Sequence, residues 1–202
     1  MNYIEKLIKE MCPNGVEYLK LEDVCDKIFA GGTPKTSRRD YYDGDIPWLR
    51  SGEINFNIIN DAQIKITQKG YNESSAKWIK ENSVLIAMTG ATVARCGVNS
   101  VKLTANQSVC ALEVKDNIYY KYLYYCMENN YETIKSMGQG ALTSINLNMI
   151  KQIKIPAPPL EVQEEIVKVL DNFAELTAEL TAELTARKTQ YEYYRNKLLS
   201  FE

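Results

Sequence analysis

The residues that could do chemistry sit in four short polar stretches. The first is Gly31-Gly32-Thr33-Pro34-Lys35-Thr36-Ser37-Arg38-Arg39-Asp40, a loop by every local signal. The second is Arg50-Ser51-Gly52, and the third is Thr89-Gly90-Ala91-Thr92 with Arg95 close behind. The fourth lies at Gly138-Gln139-Gly140 and carries Gln139, Thr143 and Ser144. Lys35, Arg38, Arg39, Arg50 and Arg95 are charged donors; Thr36, Ser51, Thr89, Thr92, Thr143 and Ser144 are neutral ones. Such groups on loops can hold phosphate oxygens and reach base edges. Each stretch also has a plain alternative. Lys35 to Arg50 could be a solvated charged surface, Gly90 a glycine required by its turn, and the last stretch a glycine-rich connection.

Composition narrows the chemistry. There is no histidine, which removes the commonest general base and a common metal ligand. No nucleophile–base pair stands out, so the chain reads as non-catalytic with no metal or cofactor of its own. The five cysteines (Cys12, Cys25, Cys96, Cys110, Cys126) are odd in number and lack CxxC spacing. With no signal-peptide pattern and no long apolar run, they read as reduced thiols, and the expectation is a cytoplasmic protein with no membrane segment. The formal net charge is −2, unevenly spread: residues 156–202 hold 5 Lys/Arg and 9 Asp/Glu, whereas 1–155 are slightly basic. Any nucleic-acid binding must therefore rest on a local patch.

These stretches are positioned by a mixed set of elements. Residues 3–11 put Tyr3, Ile4, Leu7, Ile8 and Met11 on one helical face, and Pro13-Asn14-Gly15 is a turn. Val16 to Ala30 reads as strand or a single helical turn. Ser83 to Thr89 is a buried-type strand; Val93 to Gly97 and Val109 to Val114 are further strand candidates. Tyr119 to Met137 has a helical pattern, with its tyrosines more easily read as half-buried core than as base-stacking platforms. Asn146 to Lys151 reads as a short helix and Gln152 to Ile155 as a final strand. With no regular βαβ alternation, the expectation is an α+β globule over 1–155.

The rest, 156–202, is different in kind. From Leu160 onward it contains no Gly and no Pro, and three copies of Ala-Glu-Leu-Thr begin at Ala174, Ala178 and Ala182. Ala, Leu and Glu are strong helix formers, and Pro158-Pro159 stands where a helix start tolerates proline. A helix of about 42 residues would be roughly 63 Å long, too long for a domain of this size to hide. Phe173, Leu176, Leu180, Leu184, Tyr191, Tyr194 and Leu198 form a stripe of two heptad-like segments joined by a stutter at the repeat. The reading is a coiled-coil rod that dimerises through this stripe; an ordinary solvent-side helix is the alternative.

Taken in order, these motifs resemble a known family. Gly31-Gly32-Thr33-Pro34 followed by Asp45-Ile46-Pro47-Trp48-Leu49 resembles the opening of a target-recognition domain from the specificity subunit of Type I restriction–modification enzymes. Gly90-Ala91-Thr92 with Gly97-Val98, Asn106-Gln107, the Ile153–Gln163 junction and the repeated Ala-Glu-Leu-Thr are also similar to that family. The resemblance spans nearly the whole chain. It implies a DNA-recognition subunit whose helices pair antiparallel and hold two recognition domains apart on a split double-stranded DNA target. It further implies docked methyltransferase subunits that use S-adenosylmethionine on adenine, and a motor-nuclease subunit in the full enzyme. The family's usual subunit has two domains and two helices, whereas here there is one of each, as in a half-subunit that homodimerises on an inverted-repeat target. No Asn/Asp-Pro-Pro-aromatic motif is present, since Pro158-Pro159 lies between Ala157 and Leu160. A second class of function is a coiled-coil adaptor whose globule binds protein instead of DNA.

Overall fold

The computed structural model describes residues 3–138 and 144–201. The chain opens with helix α1 (Tyr3–Met11), strand β1 (Tyr18–Lys20), a helical turn α2 (Leu21–Val24) and β2 (Cys25–Ala30). Residues 16–30 thus contain two strands with a helical turn between them. Strands β3 (Tyr42–Leu49), β4 (Asn57–Ile59) and β5 (Ile64–Ile66) lead into helix α3 (Gln68–Asn72). There follow β6 (Trp78–Ile79), β7 (Val84–Ala87), β8 (Cys96–Asn99), β9 (Leu103–Ala105) and β10 (Val109–Val114). Helices α4 (Tyr120–Asn129), α5 (Tyr131–Ser136) and α6 (Leu147–Lys151), strand β11 (Lys154–Pro156) and the long helix α7 (Leu160–Leu199) complete it.

The globule is built on a five-stranded sheet, in the order β2-β10-β7-β8-β4. Period-two alternation divides its side chains between two cores. Val84, Ile86, Cys110 and Leu112 point to one face, where they meet Leu123, Met127, Ile134 and Ile150 of α4–α6. Leu85, Ala87, Val109 and Ala111 point to the other face, against Leu49, Leu103 and Ala105 of the four-stranded sheet β5-β3-β9-β6. Being covered on both sides explains why β7 reads as an unbroken apolar run. The pairing mixes directions: β4–β8 and β3–β9 are parallel, and the other neighbours are antiparallel. A two-stranded pair, β1–β11, closes the globule beside the root of α7.

Two elements differ from their sequence reading for local reasons. The helix expected over Tyr119–Met137 is two, because Asn130 interrupts it. The Asn130 backbone sits at φ −92°, ψ 6°, and its side-chain amide donates to the Cys126 carbonyl at 2.8 Å. Asn competes well for such backbone groups and so ends helices. The strand expected at Val93–Gly97 begins three residues later, since Ala94 takes φ +66° in a tight turn. The tyrosines of α4 are core or half-buried: Tyr122 is 5% exposed and its hydroxyl donates to the Pro156 carbonyl at 3.1 Å.

The first three turns of α7 are docked on the globule. Val162 and Val167 are buried, and α7 lies against α1 and α4. Gln163 is fully buried and its amide is nearly saturated. Nε2 donates to the carbonyls of Pro158 at 2.8 Å and Asn117 at 3.1 Å, while Oε1 accepts from the Tyr119 N–H at 2.9 Å. One turn beyond Val167, Asp171 accepts from Lys121 Nζ at 2.5 Å and from the Tyr125 hydroxyl at 2.7 Å. Replacing Gln163 with Leu keeps the volume but strands three backbone groups without partners. An unsatisfied buried polar group costs about 1–3 kcal/mol, so Gln163→Leu should lower stability by about 3 kcal/mol. Urea unfolding checks this, and an unchanged midpoint would mean that water enters the joint.

Candidate nucleic-acid interface

The motif residues form the frame of the site. Gly31 donates its N–H to the Val109 carbonyl at 3.0 Å and Gly32 to that of Ala105 at 2.8 Å. A Cβ on Gly31 would collide with the Ala105 and Asn106 carbonyls, and one on Gly32 with the Ser75 backbone. Two glycines are therefore required by close backbone approach, without any positive φ. The Trp48 indole N–H donates to the Gly32 carbonyl at 2.9 Å, and the Tyr42 hydroxyl to that of Pro34 at 2.8 Å. The Thr33 hydroxyl donates to Gln107, and the Asn106 N–H to the Leu49 carbonyl at 2.9 Å. Three separate motifs thus converge in one knot that fixes where the neighbouring loops start.

From this knot a polar rim runs across the adjacent loops. Arg50 donates to Gln63 at 3.0 Å and pairs with Glu53 at 3.6 Å. The Glu53 carboxylate accepts from the backbone N–H groups of Arg50 and Gln63, so it braces the loop. The Thr92 hydroxyl donates to the Ser51 carbonyl at 3.0 Å, and Arg95 to the Asn55 side chain at 2.9 Å. Thr89 forms an isolated antiparallel bridge with Ser144. The structure therefore gathers Arg50, Ser51, Thr89, Thr92, Arg95 and Ser144 along linked loops. Sequence reasoning missed Asn55 and Gln63, which orient two of these arginines; only their amide side chains hinted at it. Gln139 and Thr143 lie outside the described residues.

Lys35, Thr36, Arg38 and Arg39 form a second group, at the start of β3, whereas Arg50 follows its end. β3 bulges near its start, where Tyr42 and Ile46 both lie opposite Ile66 and Asp43 takes φ 59°, so only its second half runs as a regular strand between the two groups. Arg38 is held in a fork, donating to both carboxylate oxygens of Asp40 at 2.8 and 2.7 Å, with its guanidinium 4.6 Å from the Tyr41 ring centre. Lys69, which sequence reasoning also missed, pairs with the same carboxylate at 2.8 Å. Hydrogen bonds from Arg38 and Lys69 hold the Asp40 carboxyl well below the usual carboxylate range. The pair therefore stays ionised at pH values where an ordinary aspartate is protonated. Lys35 and Arg39 are exposed and have no ion pair among the described residues. Their charge is free for an anion, whereas that of Arg38 is largely committed.

On the rod, the expected stripe is open to solvent. Phe173, Leu176, Leu180, Leu184, Tyr191, Tyr194 and Leu198 are all exposed, each by half or more of its surface. Among the described residues, no helix is long and apolar enough to cross a membrane, and all five cysteines are free thiols.

A three-layer globule with a polar rim, carrying a rod with an open apolar stripe, is a two-part binding module. Residues 13–187 match the family described as Type I restriction modification DNA specificity domain. The chain is 36% identical to the specificity subunit of the Type I restriction enzyme EcoprrI from Escherichia coli, covering 100% of this chain and 53% of that subunit. It is 30% identical to the EcoR124I/EcoR124II specificity subunit, also from Escherichia coli, over 99% of this chain and 52% of that one. Its fold is similar to that of the HsdS subunit from Thermoanaerobacter tengcongensis, with a TM-score of 0.65 and 21% identity over 88% of this chain and 44% of that one. The chain belongs to the family of Type I restriction–modification specificity subunits, and it spans about half the length of the curated relatives it matches.

The turn that carries Thr89 and Thr92 tests the frame. Gly90 sits at φ +79° with open space where a Cβ would be. It is glycine for its conformation and not for room. Gly90→Ala should therefore cost about 1 kcal/mol of backbone strain. The readout is the midpoint of chemical denaturation; no change would mean that the turn relaxes to negative φ.

Proposed function

We propose that this globule reads one half of a split double-stranded DNA target. The rim from Arg50 to Ser144 and the arm carrying Lys35, Thr36 and Arg39 would contact the duplex. A second copy, joined through α7, would read the other half, so that the target is an inverted repeat matching the twofold axis of the protein. The paired rods would dock methyltransferase subunits, which bring S-adenosylmethionine to the adenines, and a motor-nuclease subunit would complete a restriction complex. In this reading the chain supplies recognition and spacing and no catalysis.

One observation carries the reading. The family motifs spend their hydrogen bonds on holding loops in place, and those loops display polar and charged side chains, of which Lys35, Thr36, Arg39, Arg50 and Thr89 are exposed. That is how a reader is made: a fixed frame and donors free to meet phosphates and base edges.

Binding of duplex DNA across salt concentrations tests it. Each phosphate contact adds about one to the slope of affinity against salt. Arg39→Ala should flatten the slope by about one and weaken binding. Arg38→Ala should do less, because Asp40 already holds that guanidinium. If neither affinity nor slope changes in either variant, the arm is a solvated surface and the contact assignment is wrong.

The repeat should act as a ruler between the two halves. Deleting Ala178–Thr181 shortens the rod by about 6 Å and turns one end by about 40° relative to the other. Each globule keeps its own loops, so the half-site sequence should be unchanged while the number of unread base pairs between the halves alters. Sequencing the sites methylated by the deletion variant with its methyltransferase decides this. An unchanged spacer with activity retained makes the repeat a helix filler.

A further inference from the structure

From Asn172 to Leu199 every residue of α7 is exposed, so its apolar stripe has no cover in its own chain. The positions of that stripe are the same read in either direction about Ala182. Leu180 and Leu184 each lie two residues from it, Phe173 and Tyr191 nine, Leu170 and Tyr194 twelve, Ile166 and Leu198 sixteen. Leu176 is matched six residues away by Lys188, whose four-carbon stem can lie over a leucine with its charge in water. The stutter between Leu180 and Leu184 is the centre of this symmetry. Two identical helices running in opposite directions place each apolar residue against another only if the stripe is reversible in this way.

Charge points the same way. From Leu160 to Glu183 there are seven acidic residues and one base, Lys168; from Leu184 to Leu199 there are four bases and one acid, Glu192. The helix dipole favours acids at its start and bases at its end, but only within the terminal turns. It does not account for Glu175, Glu179 and Glu183 in mid-helix. A parallel second copy would set all three acids against themselves, whereas an antiparallel one sets the acidic half against the basic half except at the centre, where Glu183, one residue from Ala182, faces its own copy.

The globule offers a third observation. Where the rod leaves it there is a half-enclosed cavity of about 310 Å³, lined among others by Phe56, Ile58, Tyr120, Tyr124, Asp171 and Ala174. Ile58 is 62% exposed there, a large apolar side chain without cover. In an antiparallel pair centred on Ala182, Tyr191 of the second copy stands level with Phe173 and Tyr193 with Asp171, at the height of this cavity.

We propose that a second copy lies antiparallel along α7 in one register, with the twofold axis at the level of Ala182. Phe173 then packs on Tyr191, Leu180 on Leu184, Leu170 on Tyr194 and Ile166 on Leu198. This rests on the homodimer reading above and adds to it the register that sets the separation of the two globules. Within one chain residues 173 and 191 are about 27 Å apart, so a disulfide between them can form only across two copies.

The test is to oxidise the full chain carrying Phe173→Cys and Tyr191→Cys together, and each alone, after circular dichroism has shown the helix intact. The double variant should run at twice the chain mass on a non-reducing gel, with tryptic peptides 169–187 and 189–195 joined. Each single variant should stay largely unlinked. Linking of the single variants as efficiently as the double one overturns the antiparallel arrangement. Failure of the double variant to link, while sedimentation of the unoxidised chain gives twice the chain mass, overturns the register and leaves the homodimer standing. A monomer in sedimentation at tens of micromolar overturns both.

Discussion

The joint at Gln163 is the constraint on which the molecule depends. A glutamine side chain buried at zero exposure is costly unless its amide is bonded, and here two donor bonds and one acceptor bond hold it. Its partners lie on two segments: Pro158 at the rod's entry, and Asn117 and Tyr119 just before α4. One side chain therefore ties the launch of the rod to the layer of helices behind the central sheet. Asp171, held by Lys121 and Tyr125, ties the same two helices again two turns further on. Two points fix a direction. With the rod's direction fixed relative to α4, and α4 packed on the five-stranded sheet, the loops that leave that sheet have a defined position relative to the rod.

The recognition-like loops are controlled in the same indirect manner. None of the glycines at 31, 32 and 97 faces open space; each fills a place where backbone passes backbone. Trp48 spends its indole N–H inside the frame and not on a ligand. The residues that make the family easy to detect are thus the ones least free to touch a target. Those that vary in role, such as Arg39 beside the committed Arg38, differ only in whether a neighbouring carboxylate is within reach.

This explains what could be read from the chain alone. The rod, α1, β7, β10 and α6 were legible because each rests on local signals: helix formers, periodicity, a capping Asn146 whose side chain accepts from the Met149 N–H at 3.0 Å. The positions of the polar stretches as loops were legible for the same reason. Their grouping was not, since Thr92 reaches Ser51 and Arg95 reaches Asn55 across some forty residues of chain. The division of the basic residues between the two ends of β3 was hidden too, because it depends on how long that strand runs. Gln163 stood in the junction motif, but a polar residue four positions into a helix reads as solvent-facing unless the opposing carbonyls are known. The break at Asn130 was concealed by the helical pattern of tyrosines on both sides of it.

The rod beyond Asp171 shows why a partner belongs in any account of the fold. A helix gains most of its stability in proteins from packing an apolar face, and this segment packs none in its own chain. Its internal chemistry works partly against it. Glu175, Glu179 and Glu183 repel at i, i+4. Thr177, Thr181, Thr185 and Thr189 each donate a hydroxyl to the carbonyl four residues back, at 2.7 to 3.1 Å, an arrangement that bends and slightly weakens helices. Against this stand only the propensities of Ala, Leu and Glu and a nucleus already formed by the docked turns. The balance suits a segment whose stability is meant to be completed by another helix. Against an antiparallel copy centred on Ala182, Glu175 and Glu179 would stand level with residues 189 and 185, beside that copy's Arg187 and Lys188, which would offset part of the cost of the repeat; Glu183, next to the axis, would gain no such partner.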